Sequence, residues 1–120
     1  MSIIVTGSIV TDYLTAFRGR FVEQMLPDQL DSLSVSFLVE DLAIHRGGAG
    51  ANIAFNLGCL GLAPVLVGAV GADFAEYGEW LSAHGVDIRA VHISQTKHTA
   101  RLMCITDSDS NRIGSSTPAR

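Results

Sequence analysis

A few residues in this chain have the chemistry to hold a polyhydroxylated small molecule. The carboxylate of Asp12 accepts two hydrogen bonds at once, so it can take both hydroxyls of a vicinal diol. Asn52 carries a donor and an acceptor on one amide, which suits a hydroxyl that must both give and receive. Gly47 and Gly48 have no Cβ, so a ligand can come close to their main-chain N–H groups. Each has a plainer role open to it. The aspartate could be a turn residue or a helix cap; the amide could cap the glycine turn through its own side chain; the glycines could simply make the turn tight. Ser8 and Ser36 are weaker hydroxyl candidates. The ring of Phe37 could lie on a sugar or base face, or fill a small core of its own.

Other chemistries are disfavoured by spacing. Cys59 and Cys104 form no C-x-x-C pair, and His45, His84, His92 and His98 make no constellation with them, so no metal site is expected. Cys59 is expected to be a small core residue. The framework of a disulfide-stapled secreted domain is absent. Gly48-Ala49-Gly50 begins like G-x-G-x-x-G, but Ile53 stands where the third glycine belongs, and no Gly-Lys pair exists for a phosphate loop. Arg46 reads as a surface charge, and Trp80 and Met103 as packing residues.

Elements must position these groups. At 120 residues the chain is one domain or part of one, and 48% hydrophobic against 17% charged residues suits a real buried core. A net charge of −4, with eight scattered Lys and Arg, argues against a nucleic-acid surface. No apolar run is long enough to cross a bilayer, and no basic leader follows Met1, so the expected compartment is the cytoplasm, with no membrane partner.

Residues 3–8 read as a short buried strand with Asp12 just beyond its end, the edge where open α/β sheets bind ligands. Residues 17–33 look irregular, with Gly19 and Pro27 as breakers. Residues 34–44 read as one or two exposed strands. After the glycine turn comes an apolar helix ending at Gly61, expected to be wholly buried because Asn56 is the one polar side chain between Ile53 and Leu60. Residues 65–67 form the next buried strand. Asp73 and Glu76 have capping-box spacing for a second helix, along which Phe74, Tyr77, Leu81 and His84 recur, with Gly85 closing it. Residues 86–93 are expected as a strand, and residues 99–106 as another, followed by a hairpin turn at 107–111. Helix and strand in short alternation mean βαβ units and a parallel sheet.

The stretch from residue 45 to 71, with Gly47, Gly48, Gly50, Asn52, Ala54, Gly61 and Gly71 in order, resembles the N-terminal signature of the ribokinase-like (pfkB) family of carbohydrate and nucleoside kinases. The resemblance runs from V-T-G-S-I-V-T-D-Y-L to H-T-A-R, ending at Arg101. Within the family, G-R-F-V-E-Q-M-L-P, S-V-S-F-L-V-E-D-L and H-R-G-G are most similar to actinobacterial adenosine kinases.

That resemblance implies a ribokinase-like α/β fold, a parallel sheet flanked by helices with a small β-sheet lid. Residues 1–120 would be the N-terminal part, with lid strands near residues 12–18, 34–45 and 98–115. It implies that Asp12 is the sugar-binding aspartate, with Gly47, Gly48, Asn52, Ser8, Ser36 and Phe37 around the same ligand. It also implies an ATP-dependent kinase acting on the 5′-hydroxyl of adenosine and using Mg-ATP when complete. The alternatives are another sugar kinase of the family, ribokinase-like or fructokinase-like, or a non-catalytic remnant that binds ligand or dimerises through lid strands. The family's catalytic Gly-Ala-Gly-Asp turn is not met, since Ala51 follows Gly48-Ala49-Gly50. The catalytic aspartate and most of the ATP site would lie beyond this chain, leaving it inactive alone.

Overall fold

The computed structural model describes residues 2–118. In chain order the strands and helices are β1 (Ile4–Thr6), β2 (Val10–Ala16), the single-turn α1 (Phe21–Gln24), β3 (Glu40–Gly47), α2 (Ala49–Cys59), β4 (Val65–Val70), α3 (Ala75–Ala83), β5 (Val91–Ile93), β6 (Ala100–Thr106) and β7 (Arg112–Thr117). Short 3-10 turns occupy Pro27–Ser32 and Ala72–Phe74. The chain divides into two compact units: Met1–Thr11, Arg46–Arg101 and Ser116–Arg120 form the first, and Asp12–His45 and Leu102–Ser115 the second.

The first unit is built on a parallel sheet ordered β1-β4-β5, with Val5 opposite Leu66 and Ala69 opposite His92. Parallel neighbours need a crossover connection. Helix α2 lies in the one from β1 to β4, and α3 in the one from β4 to β5. The central strand β4 buries Leu66 and Val70, and Ala51, Ala54, Phe74, Tyr77 and Leu81 from the helical side close the core over them. Phe55 of α2 stacks on Trp80 of α3 with ring centroids 4.3 Å apart.

Four expectations fail here, for physical reasons. Helix α2 is not buried all round. Its core side is made of Gly50, Ala51 and Ala54, small residues that let it lie close, whereas Ile53 is 53% and Leu60 73% exposed. Cys59, expected in the core, is exposed at the end of the same helix. Asp73 does not cap α3: a 3-10 turn precedes that helix, and the carboxylate is drawn to Thr99 and Arg101 instead. Residues 86–93 are not one strand either. Asp87 makes an isolated bridge to Val65, then accepts the backbone N–H and guanidinium of Arg89, turning the chain before β5 begins.

In the second unit a four-stranded sheet is ordered β3-β2-β6-β7. Strand β3 starts at Glu40 rather than near residue 34, because residues 33–39 have no regular structure and Phe37 turns into a ring cluster. Its centroid lies 5.0 Å from those of Phe17 and Phe21. The segment read as irregular holds α1 and a 3-10 turn. The hairpin turn at 107–111 is organised by the buried Asp107, whose carboxylate accepts the N–H groups of Phe21 (3.0 Å), Asp109 (3.0 Å) and Asn111 (2.8 Å). Among the described residues no helix is long and apolar enough to cross a membrane.

Candidate functional site

In the first unit the chain turns a corner at residues 47–50, where β3 hands over to α2, and the segment leaving β1 lies against it. Gly48 sits at φ 95, ψ 133, a conformation that side chains resist. A Cβ on Gly48 would stand 2.5 Å from the carbonyl oxygen of Ser8 and 2.8 Å from the Cα of Ile9. One on Gly50 would stand 2.6 Å from the carbonyl carbon of Gly7. Two stretches of main chain therefore meet with no side chain between them.

Hydrogen bonds fix that meeting. A helix leaves its first N–H groups without intrahelical partners. Here Ser8 satisfies two of them from another segment: its Oγ accepts from the Ala49 N–H at 3.0 Å, and its carbonyl from the Ala51 N–H at 3.1 Å. The Asn52 N–H donates to the Gly48 carbonyl at 2.9 Å, opening the helix. Capping of α2 thus falls to Ser8, and the Asn52 side chain is exposed in the first turn. On the core side, the Tyr77 hydroxyl donates to the Gly47 carbonyl at 2.7 Å. The Arg46 guanidinium lies 5.0 Å from the centroid of the Trp80 ring, so its charge rests on an aromatic face.

A second polar cluster in the same unit centres on Asp73. It accepts the N–H and hydroxyl of Thr99, each at 2.8 Å, and the Arg101 guanidinium at 3.0 Å, while Thr99 Oγ1 accepts the Gly71 N–H at 3.1 Å. Burial alone would raise the Asp73 pKa. The Thr99 N–H, the Arg101 guanidinium and the Thr99 hydroxyl outweigh it and bring the value down to about 2.

The structure gathers Ser8, Gly47, Gly48 and Asn52 at one corner of the first unit. Asp12, Ser36 and Phe37 belong to the second. Asp12 is half-buried and lies inside β2, a strand of its own, rather than just past the end of β1. Ser36 is exposed, and Phe37 is half-buried in the irregular segment before β3. Sequence reasoning took Tyr77 only as an apolar position of a helix. The signal it passed over is a phenol at a core site, which carries a hydroxyl that must find a partner. Thr99 as the link between Gly71 and Asp73 carries no local sequence signal. Among the described residues no three His, Cys, Asp or Glu side chains are placed to hold a metal.

The sequence matches the model of pfkB family carbohydrate kinases over residues 6–119. It is 36% identical over 88 residues to a nucleoside kinase of Methanothermobacter thermautotrophicus, an alignment covering 72% of this chain and 28% of that protein. Among solved structures it is similar to the Burkholderia thailandensis nucleoside kinase in complex with inosine, at 31% identity and a TM-score of 0.77, covering 98% of this chain and 37% of the other. The Methanocaldococcus jannaschii nucleoside kinase, an archaeal member of the ribokinase family, superposes with a TM-score of 0.79 at 24% identity, covering 97% of this chain and 36% of that one. The chain thus spans between 28% and 37% of the length of these relatives.

Proposed function

This chain belongs to the pfkB family of carbohydrate kinases and has its ribokinase-like α/β fold; from that premise we propose that it is the nucleoside-holding part of an ATP-dependent kinase that phosphorylates the 5′-hydroxyl of adenosine. The observation that carries this reading is the corner at residues 47–50, where main chain stands bare of side chains beside an exposed Asn52. The glycines pack against the main chain of residues 7–9, and the groups this reading gives to a ribose are the half-buried Gly48 and the exposed Asn52.

In this reading the N–H of Gly48 and the amide of Asn52 take sugar hydroxyls. Ser8 keeps the corner in shape rather than touching the ligand. Support for a nucleoside over a free sugar comes from the two nucleoside kinases that are more than 30% identical to this chain, one of them bound to inosine. Support for ATP as the phosphate donor comes from two proteins of this fold solved with ADP or ATP. We place the donor site and the group that takes the hydroxyl proton in the part of the relatives' length that this chain does not span.

Isothermal titration of adenosine, inosine and ribose into the protein tests the proposal. Adenosine is expected to bind more tightly than ribose. Asn52→Ala should weaken adenosine binding several-fold, since a hydrogen bond of a neutral amide is worth roughly 0.5–1.5 kcal/mol. Undiminished binding in Asn52→Ala removes that amide from the site, and equal affinity for ribose and adenosine removes the nucleoside.

A further inference from the structure

We infer that Tyr77 is a positioning residue for the nucleoside, holding the peptide between Gly47 and Gly48 in the one orientation that presents the Gly48 N–H to the ligand. The inference rests on the reading of the glycine corner as the sugar site.

A phenol stands at a core position where a phenylalanine ring would leave no hydroxyl to satisfy. Tyr77 is 6% exposed, on the core side of α3, with its ring 5.6 Å from Phe74 and 6.0 Å from Trp80. A hydroxyl taken that far from water destabilises the fold unless it is hydrogen-bonded. The Gly47 carbonyl, at the end of β3 and the start of the corner, accepts from it at 2.7 Å.

What that bond does follows from the residues it joins. Two consecutive glycines carry no Cβ on either side of their shared peptide, so the plane can rotate about its flanking torsions at little steric cost. Such a rotation turns the N–H round with the carbonyl, because a trans peptide keeps the two on opposite sides. Fixing the Gly47 carbonyl toward the core therefore fixes the Gly48 N–H away from it. The next peptide is held at both ends already: the Gly48 carbonyl accepts from the Asn52 N–H, and the Ala49 N–H donates to Ser8 Oγ. Tyr77 supplies the matching restraint on the peptide before it. Its ring is braced by Trp80, which also carries the guanidinium of Arg46, the residue just before Gly47. The aromatic cluster thus grips the corner at two successive residues.

The test compares Tyr77→Phe with Leu66→Ala in the full chain, by titration with adenosine and inosine, thermal unfolding and the amide resonance of Gly48. Tyr77→Phe removes the hydroxyl and keeps the ring. Leu66→Ala loosens the core of the central strand and leaves the hydroxyl and the aromatic cluster in place. The expected result is about tenfold weaker nucleoside binding in Tyr77→Phe, a tether lost rather than a direct contact, with a displaced or broadened Gly48 resonance. Leu66→Ala should bind as the unsubstituted protein does even where its melting temperature falls further. Unchanged affinity in Tyr77→Phe overturns the inference, as does a loss that merely tracks melting temperature across both variants. If the parent reading is wrong, the failure looks different: the unsubstituted protein binds neither nucleoside, and Tyr77 then has nothing to present.

Discussion

Replacing Gly48 by alanine separates a close approach of main chain from the ordinary cost of losing a glycine. The new Cβ would stand 2.5 Å from the Ser8 carbonyl oxygen and 2.8 Å from both the Ser8 carbonyl carbon and the Ile9 Cα. These are backbone atoms, which cannot swing aside as a side chain does, and the Ser8 carbonyl is tied to the Ala51 N–H. Forced overpacking of this kind costs about 1–3 kcal/mol. The backbone conformation adds about 1–3 kcal/mol more, since φ 95 with ψ 133 lies outside the regions that L residues occupy. The sum is about 4 kcal/mol, a large part of a typical domain's ~5–15 kcal/mol stability.

Gly61 is the control. It has φ 78 but no atom within 4 Å of an added Cβ, so Gly61→Ala bears only the left-handed penalty of roughly 1–2 kcal/mol. Urea unfolding followed by the fluorescence of Trp80, the single tryptophan, measures both variants against the unsubstituted protein. Gly48→Ala should lose about 2 kcal/mol more than Gly61→Ala, by the overpacking cost above. Losses equal within ~0.5 kcal/mol would mean that the corner and the β1 exit do not touch as described, and the bare-backbone argument would go with them.

Two further outcomes follow from the first unit. Asp73, held at about 2 against an ordinary 3.8, has a depressed pKa, so its contribution to stability is complete above roughly pH 4 and is lost as pH falls toward 2. With the side chain 33% exposed, that contribution is reduced by screening to about 1 kcal/mol, and Asp73→Asn should flatten the acid limb of a stability–pH curve by that amount; an unaltered acid limb refutes the assignment. Leu66, 0% exposed in the central strand, should cost about 3 kcal/mol as Leu66→Ala, whereas Ile53→Ala, 53% exposed on the outer side of α2, should cost less than ~1 kcal/mol, and the reverse order in urea unfolding would contradict the core described.

What the sequence disclosed was what local spacing encodes. The alternation of a helix ending at Gly61, a strand at residues 65–67 and a helix closed by Gly85 gave the βαβ order, because each helix has its own terminating glycine and the strand is a short apolar run between them. Spacing does not say how many sides of an apolar segment find a neighbour. Helix α2 looked wholly buried since nearly all its residues are apolar, yet the side made of Gly50, Ala51 and Ala54 packs and the side with Ile53 and Leu60 does not. The same limit explains Asp73. Its distance to Glu76 fits a capping box, but Thr99 and Arg101, more than twenty residues away, offer two amide and hydroxyl donors and a guanidinium, and a charge-assisted set outcompetes a helix cap. At the candidate site the glycines and Asn52 were legible as a bare turn beside an amide. The groups that hold the turn, Ser8 and Tyr77, were not, since both reach it across 30 to 41 positions of sequence.

A corner built from main chain has a consequence for which substitutions change its chemistry. Where side chains hold a ligand, one mutation removes one contact. Here the positions of the Gly48 N–H and the first turn of α2 are set by bonds from Ser8 and Tyr77 and by the contact of Gly50 with Gly7. A change in any of these partners would shift the turn, and hydrogen bonds to a small ligand are sensitive to displacements of tenths of an ångström. Ligand choice would then be altered at the exposed side chains around the turn, Asn52 above all, while overall affinity would be altered from inside the core. A substitution at Asn52 should accordingly change the ratio of affinities between two nucleosides or sugars, and one at Tyr77 should lower both affinities together and leave their ratio alone.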